Sequence, residues 1–292
     1  MKILITGGSG FIGSALIRYI LNNFENYHIL NIDKLTYASN DSLSQFDSNN
    51  NYEHKKVDIT DNASLKEIFA DFKPDSVMHL AAESHVDNSI KNPNKFMETN
   101  IIGTFNLLNI SLDYLREANP HFYRFHHIST DEVYGDLEKS DPQFTENTPY
   151  NPSSPYSASK ASADMVCNAY MKTYDMDIKT IRPANNYGPF QQPEKLIPFS
   201  ISNIIENNEV EIYGDGSNIR HWLYVKDTVE GIFKVIEKGE SGEIYNIGSG
   251  IYHNNNEIAE KLLSKFNLSK NSIKYVKDRP GHDFKYAVNF DK

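Results

Sequence analysis

The stretch Gly7-Gly8-Ser9-Gly10-Phe11-Ile12-Gly13 decides the fold of this chain of 292 residues. It follows Lys2–Thr6, a short apolar segment that predicts a strand, and it opens a segment, 11–22, whose apolar residues have helical spacing. The glycines permit a tight turn and let backbone N–H groups approach a pyrophosphate at the helix N-terminus. The stretch therefore predicts a dinucleotide site between the first strand and the first helix.

Asp33 supports this interpretation and indicates which dinucleotide binds. It ends a second predicted strand, 28–33, twenty residues past Gly13. A carboxylate at this place can accept hydrogen bonds from both ribose hydroxyls and repels a 2′-phosphate, so we expect NAD rather than NADP. The alternative is a glycine-rich β-turn followed by an unrelated acid.

Predicted strands and helices alternate along the first half of the chain. Further strands are predicted at 52–58, 76–80, 123–128 and 178–182, and further helices at 64–71, 93–119 and 156–174. Such alternation implies right-handed βαβ units, and hence an α/β fold with a doubly wound parallel sheet, the Rossmann fold.

A domain boundary is expected near Pro183, because Pro, Gly and Asn become dense beyond it. We expect an NAD-binding domain at 1–186 plus about 220–246, to which a strand and a helix at 222–238 return. A smaller C-terminal substrate domain is expected at about 187–219 and 247–292. The length also permits one large α/β domain.

The composition excludes several other classes of protein. The net charge of −10 and the pI near 5.5 argue against a nucleic-acid or anionic-membrane surface. The single cysteine, Cys167, excludes an intramolecular disulfide and a multi-cysteine metal site, and we expect no metal. No apolar run approaches the roughly 18 residues of a membrane helix, and the N-terminal apolar stretch is too short for a signal peptide. We therefore expect a cytoplasmic protein.

Tyr156 and Lys160 lie four residues apart on a predicted helix, and hence on one face of it. An ammonium near a phenol lowers the pKa of the phenol, so Tyr156 could act as a base on a sugar or alcohol hydroxyl. Two surface residues could share this spacing, but the glycine stretch upstream favours the catalytic interpretation.

Asp131 and Glu132 follow a predicted strand, at the sheet edge where doubly wound folds bind ligands. A protonated member of such a pair can serve as general acid and an ionised member as general base. An elimination needs both, because one group takes a C–H proton while the other protonates the departing hydroxyl. An acidic loop that caps the next turn is the alternative.

Two other strand ends are candidate cofactor contacts. Asp58 ends the third predicted strand, where an acid either meets the adenine edge or serves as a turn or cap residue. Leu80-Ala81-Ala82 ends the fourth, where small side chains either admit a cofactor across the sheet edge or pack tightly.

Seven stretches of the chain resemble the extended short-chain dehydrogenases/reductases. They are HLAAESHVD (79–87), FHHISTDEVYGDL (125–137), PSSPYSASKASAD (152–164), NNYGP (185–189), PEKLIP (193–198), YNIGS (245–249) and RPGHD (279–283). Among these enzymes the chain resembles the nucleoside-diphosphate-glucose 4,6-dehydratases, most of all those that act on dTDP-glucose. The acid pair after Thr130 marks the dehydratases, since related epimerases and decarboxylases usually lack it.

The resemblance implies roles for individual residues. Thr130 would hydrogen-bond the sugar 4-oxygen, Tyr156 would be the base with Lys160 as its electrostatic partner, Asp131 would protonate the leaving 6-hydroxyl and Glu132 would remove the C5 proton. With the glycines at 7, 10 and 13, the implied cofactor contacts are Phe11, Ile12, Asp33, Lys34, Leu35, Thr36, Asp58, Ile59, Leu80, Ala81, Ala82, Ser84, Thr99, Tyr156, Lys160 and Asn186. The implied substrate contacts are Ser84, Thr130, Asn185, Lys195, Leu196, Glu211, Ile212, Tyr213, Arg220, Asn246, Asp278, Arg279, Pro280, Gly281 and His282.

Arg220 and Arg279 suit a diphosphate clamp in an acidic protein, although surface ion pairing is the alternative. The implied reaction is NAD-dependent: oxidation at C4 of the sugar, elimination of water across C5–C6 and return of the hydride to C6. The same chemistry on UDP-glucose, a sugar-nucleotide epimerase and a non-catalytic NAD-binding sensor stay open as alternatives. Family members also imply a homodimer through the helical stretches 96–115 and 161–174.

Several positions depart from the family pattern. Asn88 stands where an arginine is usual, Arg182-Pro183-Ala184 replaces a smaller or Cys-containing stretch, and Phe284-Lys285 replaces a pair of arginines. The chain stops at Lys292, where family members continue through further helices. It is expected to be either a naturally short member or one that lacks part of the smaller domain.

Overall fold

The computed structural model describes residues 1–118 and 123–292, and its centre is a seven-stranded parallel sheet. The strands are β1 (Lys2–Thr6), β2 (His28–Asp33), β3 (Tyr52–Lys56), β4 (Ser76–His79), β5 (Arg124–Ile128), β6 (Ile178–Pro183) and β10 (Ile244–Ile247). Their order across the sheet is β10-β6-β5-β4-β1-β2-β3. The strands are all parallel, and the direction in which successive strands are added to the sheet reverses between β1 and β4. Ligands of doubly wound sheets bind at the carboxyl edge beside this reversal. The predicted Rossmann fold is confirmed.

Helices cover both faces of the sheet, because the strands at its centre carry apolar side chains toward both faces. The helices are α1 (Phe11–Asn23), α2 (Asn62–Phe72), α3 (Val86–Lys91), α4 (Pro93–Phe96), α5 (Gly103–Ala118), α6 (Pro155–Tyr174), α7 (Leu196–Ile205), α8 (Val225–Lys238) and α9 (Asn255–Lys265). Ile3 and Ile5 of β1 point to the face covered by α1 and α8, whereas Leu4 points to the face covered by α2, α5 and α6. Cys167 is a fully buried member of the second core.

The predicted helix at 93–119 is interrupted by a wider turn. A π-helical segment, Met97–Ile102, lies between α4 and α5, and position 119 falls outside the described residues. Within this segment the Asn100 side chain accepts a hydrogen bond from the backbone N–H of Glu83 (2.9 Å) and donates to Ser159 Oγ (2.8 Å). Such π turns recur at functional sites, and this one fastens the loop after β4 to α6.

Two small sheets stand beyond the carboxyl edge of the central sheet. One contains β7 (Asn185–Tyr187), β9 (Ile219–Tyr224) and β11 (Tyr252–Asn254), and the other pairs β8 (Val210–Tyr213) with β12 (Ile273–Val276). The helix predicted near 222–238 does return to the first domain, where α8 packs against α1. The strand predicted there does not, because it pairs with β7 and β11; β10 is the strand that joins the central sheet. No helix within 1–118 or 123–292 is long and apolar enough to cross a membrane.

Candidate active site

Two adjoining cavities lie at the carboxyl edge of the central sheet. The first, of about 300 Å³, runs along the ends of β1, β2 and β4, and the second, of about 430 Å³, lies between α3 and the small sheets. Glu132, Asn185 and Lys195 line both cavities and form the wall where they meet. Together they make one continuous cleft that suits an elongated ligand beside a second molecule.

The glycine turn packs closely against the strands at one end of the first cavity. Gly7 has a φ of +71°, and a Cβ placed on it would lie 2.5 Å from the backbone of Ala81. A Cβ on Gly13 would lie 2.3 Å from the carbonyl oxygen of Gly7. The first turn of α1 can therefore approach β1 and β4 only because these positions lack side chains.

Asp33 is fixed by its own backbone surroundings at the end of β2. Its two carboxylate oxygens accept hydrogen bonds from the backbone N–H groups of Ser9 (3.0 Å) and Leu35 (2.8 Å). Asp58 lies beside it and binds the Lys34 ammonium at 2.5 Å, which lowers the pKa of Asp58 against the opposing effect of burial. The carboxylates thus face the part of the cavity where a ribose and an adenine would lie.

Lys160 and Tyr156 are both buried on α6, but the ammonium and the phenol do not form the simple pair that their spacing suggested. The ammonium of Lys160 donates to the carbonyl oxygen of Ile128 at 2.7 Å, which anchors it to the end of β5. Burial lowers the pKa of Lys160 and raises the pKa of Tyr156, and the nearby Glu132 raises the latter further. A hydrogen bond with Thr130 acts in the opposite direction. The phenol pKa is therefore set by burial and the neighbouring acids as well as by its place one turn from Lys160, and the role of Tyr156 as base stays a prediction.

Asp131 is buried with a carboxylate oxygen that finds no protein partner. Thr130 caps the short 3₁₀ helix Asp131–Tyr134, and its hydroxyl lies 3.3 Å from Asp131 Oδ1. Asp131 Oδ2 has no hydrogen-bond partner among the described residues. Burial, followed by repulsion from Glu132, raises the pKa of Asp131 to about 8. Asp131 is therefore protonated at neutral pH, as a general acid must be.

Glu132 has different surroundings, although it is the next residue. Burial raises its pKa as well, but Arg279, Lys195 and Arg220 all favour its ionised form. The two acids consequently differ in the positive charge around them rather than in burial alone. This is the pattern expected when one acid donates a proton and its neighbour accepts one.

Several cationic side chains line the second cavity. Lys195 donates to the carbonyl oxygen of Ser84 (2.9 Å), and Arg279 lies 3.8 Å from Asp87, which also accepts from the Tyr213 hydroxyl at 2.9 Å. Arg279 Nε is buried without a hydrogen-bond partner among the described residues, as is Asn185 Oδ1. These polar atoms, with Asp131 Oδ2, are the ones a bound ligand would satisfy.

Most of the residues proposed from sequence line the cleft. All proposed cofactor contacts except Leu35 line the first cavity, as do Thr130, Asp131 and Glu132; Leu35 lies outside, with a 40% exposed side chain. The proposed substrate contacts that line the cavities are Ser84, Thr130, Asn185, Lys195, Leu196, Glu211, Tyr213, Arg220, Arg279 and His282.

Five proposed substrate contacts lie outside both cavities. Ile212 is 1% exposed and packs in the core beneath β8, because its neighbours on the strand, Glu211 and Tyr213, point the opposite way. Asn246 accepts from the Tyr134 hydroxyl (2.9 Å) and donates to a backbone carbonyl, so its amide is used inside the fold. The turn that presents Arg279 and His282 leaves Asp278, Pro280 and Gly281 on the outer surface.

The loop at 191–194, which lines the first cavity, was not predicted from the sequence. Gln191, Gln192 and Glu194 line this cavity, and Gln192 donates to the carbonyl oxygen of Ala38 across it at 2.7 Å. Gln191 and Gln192 lie between the stretches NNYGP (185–189) and PEKLIP (193–198), and Glu194 lies inside the second, which was the signal in the sequence. Tyr286 and Trp222 line the second cavity and were not predicted from the sequence either.

The departures from the family pattern acquire local partners in the structure. Asn88 donates to the Tyr37 hydroxyl at 3.2 Å, and Arg182 binds the buried Asp164 at 2.9 Å. Phe284 contributes a carbonyl oxygen, with Ile219 and Asp283, to the hydrogen bonds of the Arg220 guanidinium. Arg220 is thereby held 4.3 Å from the centre of the Tyr286 ring.

The comparisons with known proteins agree with this geometry. The family described as GDP-mannose 4,6 dehydratase matches residues 4–292. The dTDP-glucose 4,6-dehydratase of Haemophilus influenzae is 50% identical over all of this chain and 90% of its own length. The dTDP-glucose 4,6-dehydratase DesIV of Streptomyces venezuelae, solved with NAD bound, superposes with a TM-score of 0.94 at 39% identity, covering 99% of this chain and 88% of its own.

An epimerase of the same fold is a more distant neighbour. The UDP-glucose 4-epimerase of Thermotoga maritima, solved with UDP-glucose, has a TM-score of 0.89 and 30% identity over 100% of this chain and 90% of its own. The chain belongs to the GDP-mannose 4,6-dehydratase family of extended short-chain dehydrogenases/reductases, and it shares that family with dTDP-glucose 4,6-dehydratases that match it over its whole length.

Proposed function

We propose that this protein is an NAD-dependent hydro-lyase that converts dTDP-glucose to dTDP-4-keto-6-deoxyglucose. The observation that carries the proposal is the acid pair at the end of β5, in which the buried Asp131 lines the first cavity and Glu132 lines both cavities. Asp131 is protonated at neutral pH, and Glu132 faces three cations. An epimerase needs no such pair, because it removes and returns hydrogen at one carbon without losing water.

The first cavity has the features that NAD binding requires. The absent side chains at Gly7 and Gly13 let the first turn of α1 lie against β1 and β4, where its N-terminus lines the cavity and suits a pyrophosphate, and Asp33 presents its carboxylate where ribose hydroxyls would lie. When bound, NAD⁺ supplies the acceptor for the C4 hydrogen and the donor that later reduces C6. We propose that the cofactor contacts named above that line this cavity hold it there.

The chain's own groups then move three protons. Tyr156 takes the proton of the 4-hydroxyl, and Thr130 orients that oxygen. For this the phenol must first give up its own proton to solvent, and the positive charge of the Lys160 ammonium favours the phenolate that remains. Once C4 is a ketone, the C5 proton is acidic. Glu132 removes it, and Asp131 gives its proton to the departing 6-hydroxyl as water leaves.

The second cavity is proposed to hold the diphosphate and the base of the sugar nucleotide. Arg279, Arg220 and Lys195 supply the positive charge that an acidic protein must concentrate locally to bind such a ligand. We propose that 1–186 with about 225–246 bind NAD, and that about 187–224 and 247–292 bind the sugar nucleotide, because β9 with Arg220 belongs to a small sheet. We also propose a cytoplasmic location, as expected from the sequence.

The test is incubation of the pure protein with dTDP-glucose and, separately, UDP-glucose, followed by mass analysis of the products. The proposal expects a product lighter by one water from dTDP-glucose, formed faster than from UDP-glucose. An isomer of unchanged mass would indicate an epimerase, and an unchanged substrate with tightly bound NAD would indicate a sensor. A faster reaction of UDP-glucose would leave the dehydration standing and overturn the choice of base.

We also propose a homodimer through α5, α6 and the π turn. Large apolar side chains are exposed on these elements: Ile102 (49%), Phe105 (41%) and Met165 (52%). A second copy would cover them as a four-helix interface. Light scattering at micromolar concentration is expected to give twice the chain mass, and Phe105→Glu is expected to give a single chain. A monomeric wild type counts against this part of the proposal.

A further inference from the structure

A charged cluster lies beneath the proposed catalytic pair, and the reaction as described does not use it. Asp164 is on α6, one helical turn beyond Lys160 and two beyond Tyr156, so the three residues share one face of the helix. Its side chain is 1% exposed, as is that of Arg182, while His127 is fully buried. Burying an ion pair costs free energy, so its presence here requires a reason.

The contacts of Asp164 join α6 to two strands. One carboxylate oxygen accepts from His127 Nε2 on β5 at 3.0 Å, and the other accepts from Arg182 Nε and Nη2 on β6 at 3.1 Å and 2.9 Å. Arg182 also donates to the Tyr150 hydroxyl. His127 directly precedes Ile128, whose carbonyl oxygen accepts from Lys160 at 2.7 Å. The carboxylate and the ammonium are therefore tied to the same strand end.

We propose that Asp164 is a positioning residue: held by Arg182 and His127, its carboxylate fixes α6 against β5 and β6 and keeps the Lys160 ammonium charged beneath the active site. This inference rests on the proposed function, because it assigns Lys160 its electrostatic role there. Lys160 is buried, and the contact of its ammonium is an uncharged carbonyl oxygen; a buried ammonium without a nearby anion tends to lose its proton. Asp164 is the anion that opposes this tendency.

The other titratable groups around the cluster do not take over this task. His127 and His79 are neutral, since burial lowers the pKa of each, and their rings lie 5.5 Å apart. Cys167 is an uncharged thiol because burial raises its pKa, and burial also keeps Tyr134 and Tyr150 neutral. Arg182 is a cation that Asp164 already pairs.

The test compares Asp164→Asn with the double variant Asp164→Asn/Arg182→Gln and with Cys167→Ala as a control. The single variant leaves the Arg182 charge buried and is expected to unfold at lower urea concentration, whereas the double variant removes both charges and regains much of that stability. The lysine ¹³Cε signal of Lys160, assigned with Lys160→Met, reports its titration in the ligand-free protein. Loss of a charge one helical turn away is expected to lower the pKa of Lys160 by about one unit or more in both Asp164 variants and not in Cys167→Ala.

The rate of cofactor reduction against pH gives a second readout. The Asp164 charge by itself raises the pKa of Tyr156, so its direct loss would move the basic rise of the rate to lower pH. If Asp164 acts through Lys160, both variants are instead expected to move the basic rise to higher pH, with little change in KM; a shift to lower pH would overturn the inference. A double variant with wild-type Lys160 titration and a wild-type pH profile would show that the pair is only structural, and would overturn the inference. Failure of the wild type to release any dehydrated sugar nucleotide would overturn the proposed function instead, while the Lys160 titration would still decide the inference.

Discussion

Asp131→Asn should stabilise the ligand-free protein while it slows the loss of water from the substrate. Burial raises the pKa of Asp131 from an ordinary 3.8 to about 8, so the folded protein holds a proton that the unfolded chain releases near pH 4. Each unit of pKa shift corresponds to about 1.4 kcal/mol, so at pH 7 this proton costs on the order of 4 kcal/mol of folding free energy. Asparagine has a similar shape and carries no charge, so the variant avoids that cost.

The size of the gain depends on pH in a defined direction. A group whose pKa is raised on folding contributes its full stability below the unfolded pKa, and that contribution is lost as pH rises through the folded pKa. The difference between variant and wild type should therefore be small at pH 4, grow up to about pH 8 and stay constant above it. Because the asparagine amide meets the same unpartnered surroundings as the protonated carboxyl, a net gain of about 2–4 kcal/mol is expected at pH 7.

Urea unfolding of the ligand-free protein at pH 4, 5.5, 7 and 8.5 measures this difference. Asp113→Asn, which replaces an exposed acid on α5, is the control and should change the free energy of unfolding by less than about 0.5 kcal/mol at every pH. A constant difference between Asp131→Asn and the wild type across this range would refute the reasoning, since it would mean that Asp131 is already ionised in the folded protein.

Three further outcomes are expected. The protein should bind NAD⁺ about 5- to 150-fold more tightly than NADP⁺, because a 2′-phosphate beside the Asp33 carboxylate costs on the order of 1–3 kcal/mol; equal affinities in a titration would count against this. Tyr156→Phe should slow cofactor reduction by about 10²–10⁴, while Tyr174→Phe, an exposed position on the same helix, should not; a wild-type rate in the first variant makes the phenol dispensable. Glu132→Gln should accumulate reduced cofactor and slow exchange of the C5 hydrogen with deuterated water by about 10²–10⁴, whereas Asp131→Asn should keep that exchange; unchanged product release by Glu132→Gln would reverse the assignment of acid and base.

The central sheet could be predicted because its information is local. Short apolar segments, helices with a period near 3.6 and the glycine turn after β1 each depend on neighbouring residues only. Asp33, Tyr156 and Lys160 were placed correctly along the sheet edge for the same reason, since a strand end or a helix face follows from position in an element.

The features that could not be predicted depend on distant partners. The strand Ile219–Tyr224 has an ordinary strand pattern, but its place outside the central sheet follows from pairing with Asn185–Tyr187 and Tyr252–Asn254. The raised pKa of the Tyr156 phenol follows from burial, which the spacing of Tyr156 and Lys160 does not report. Strand alternation could have excluded Ile212, because Glu211 and Tyr213 on either side of it face the cavity.

The fate of a labelled hydrogen tests the central claim most directly. dTDP-glucose carrying deuterium at C4 is incubated with the protein in ordinary water, and the product is analysed by mass and NMR. The account predicts a 4-keto-6-deoxy sugar nucleotide with the deuterium at C6, ordinary hydrogen at C5 and no net reduction of NAD⁺. Recovery of deuterium at C4 in a sugar of unchanged composition, or its loss to added cofactor, would contradict the account.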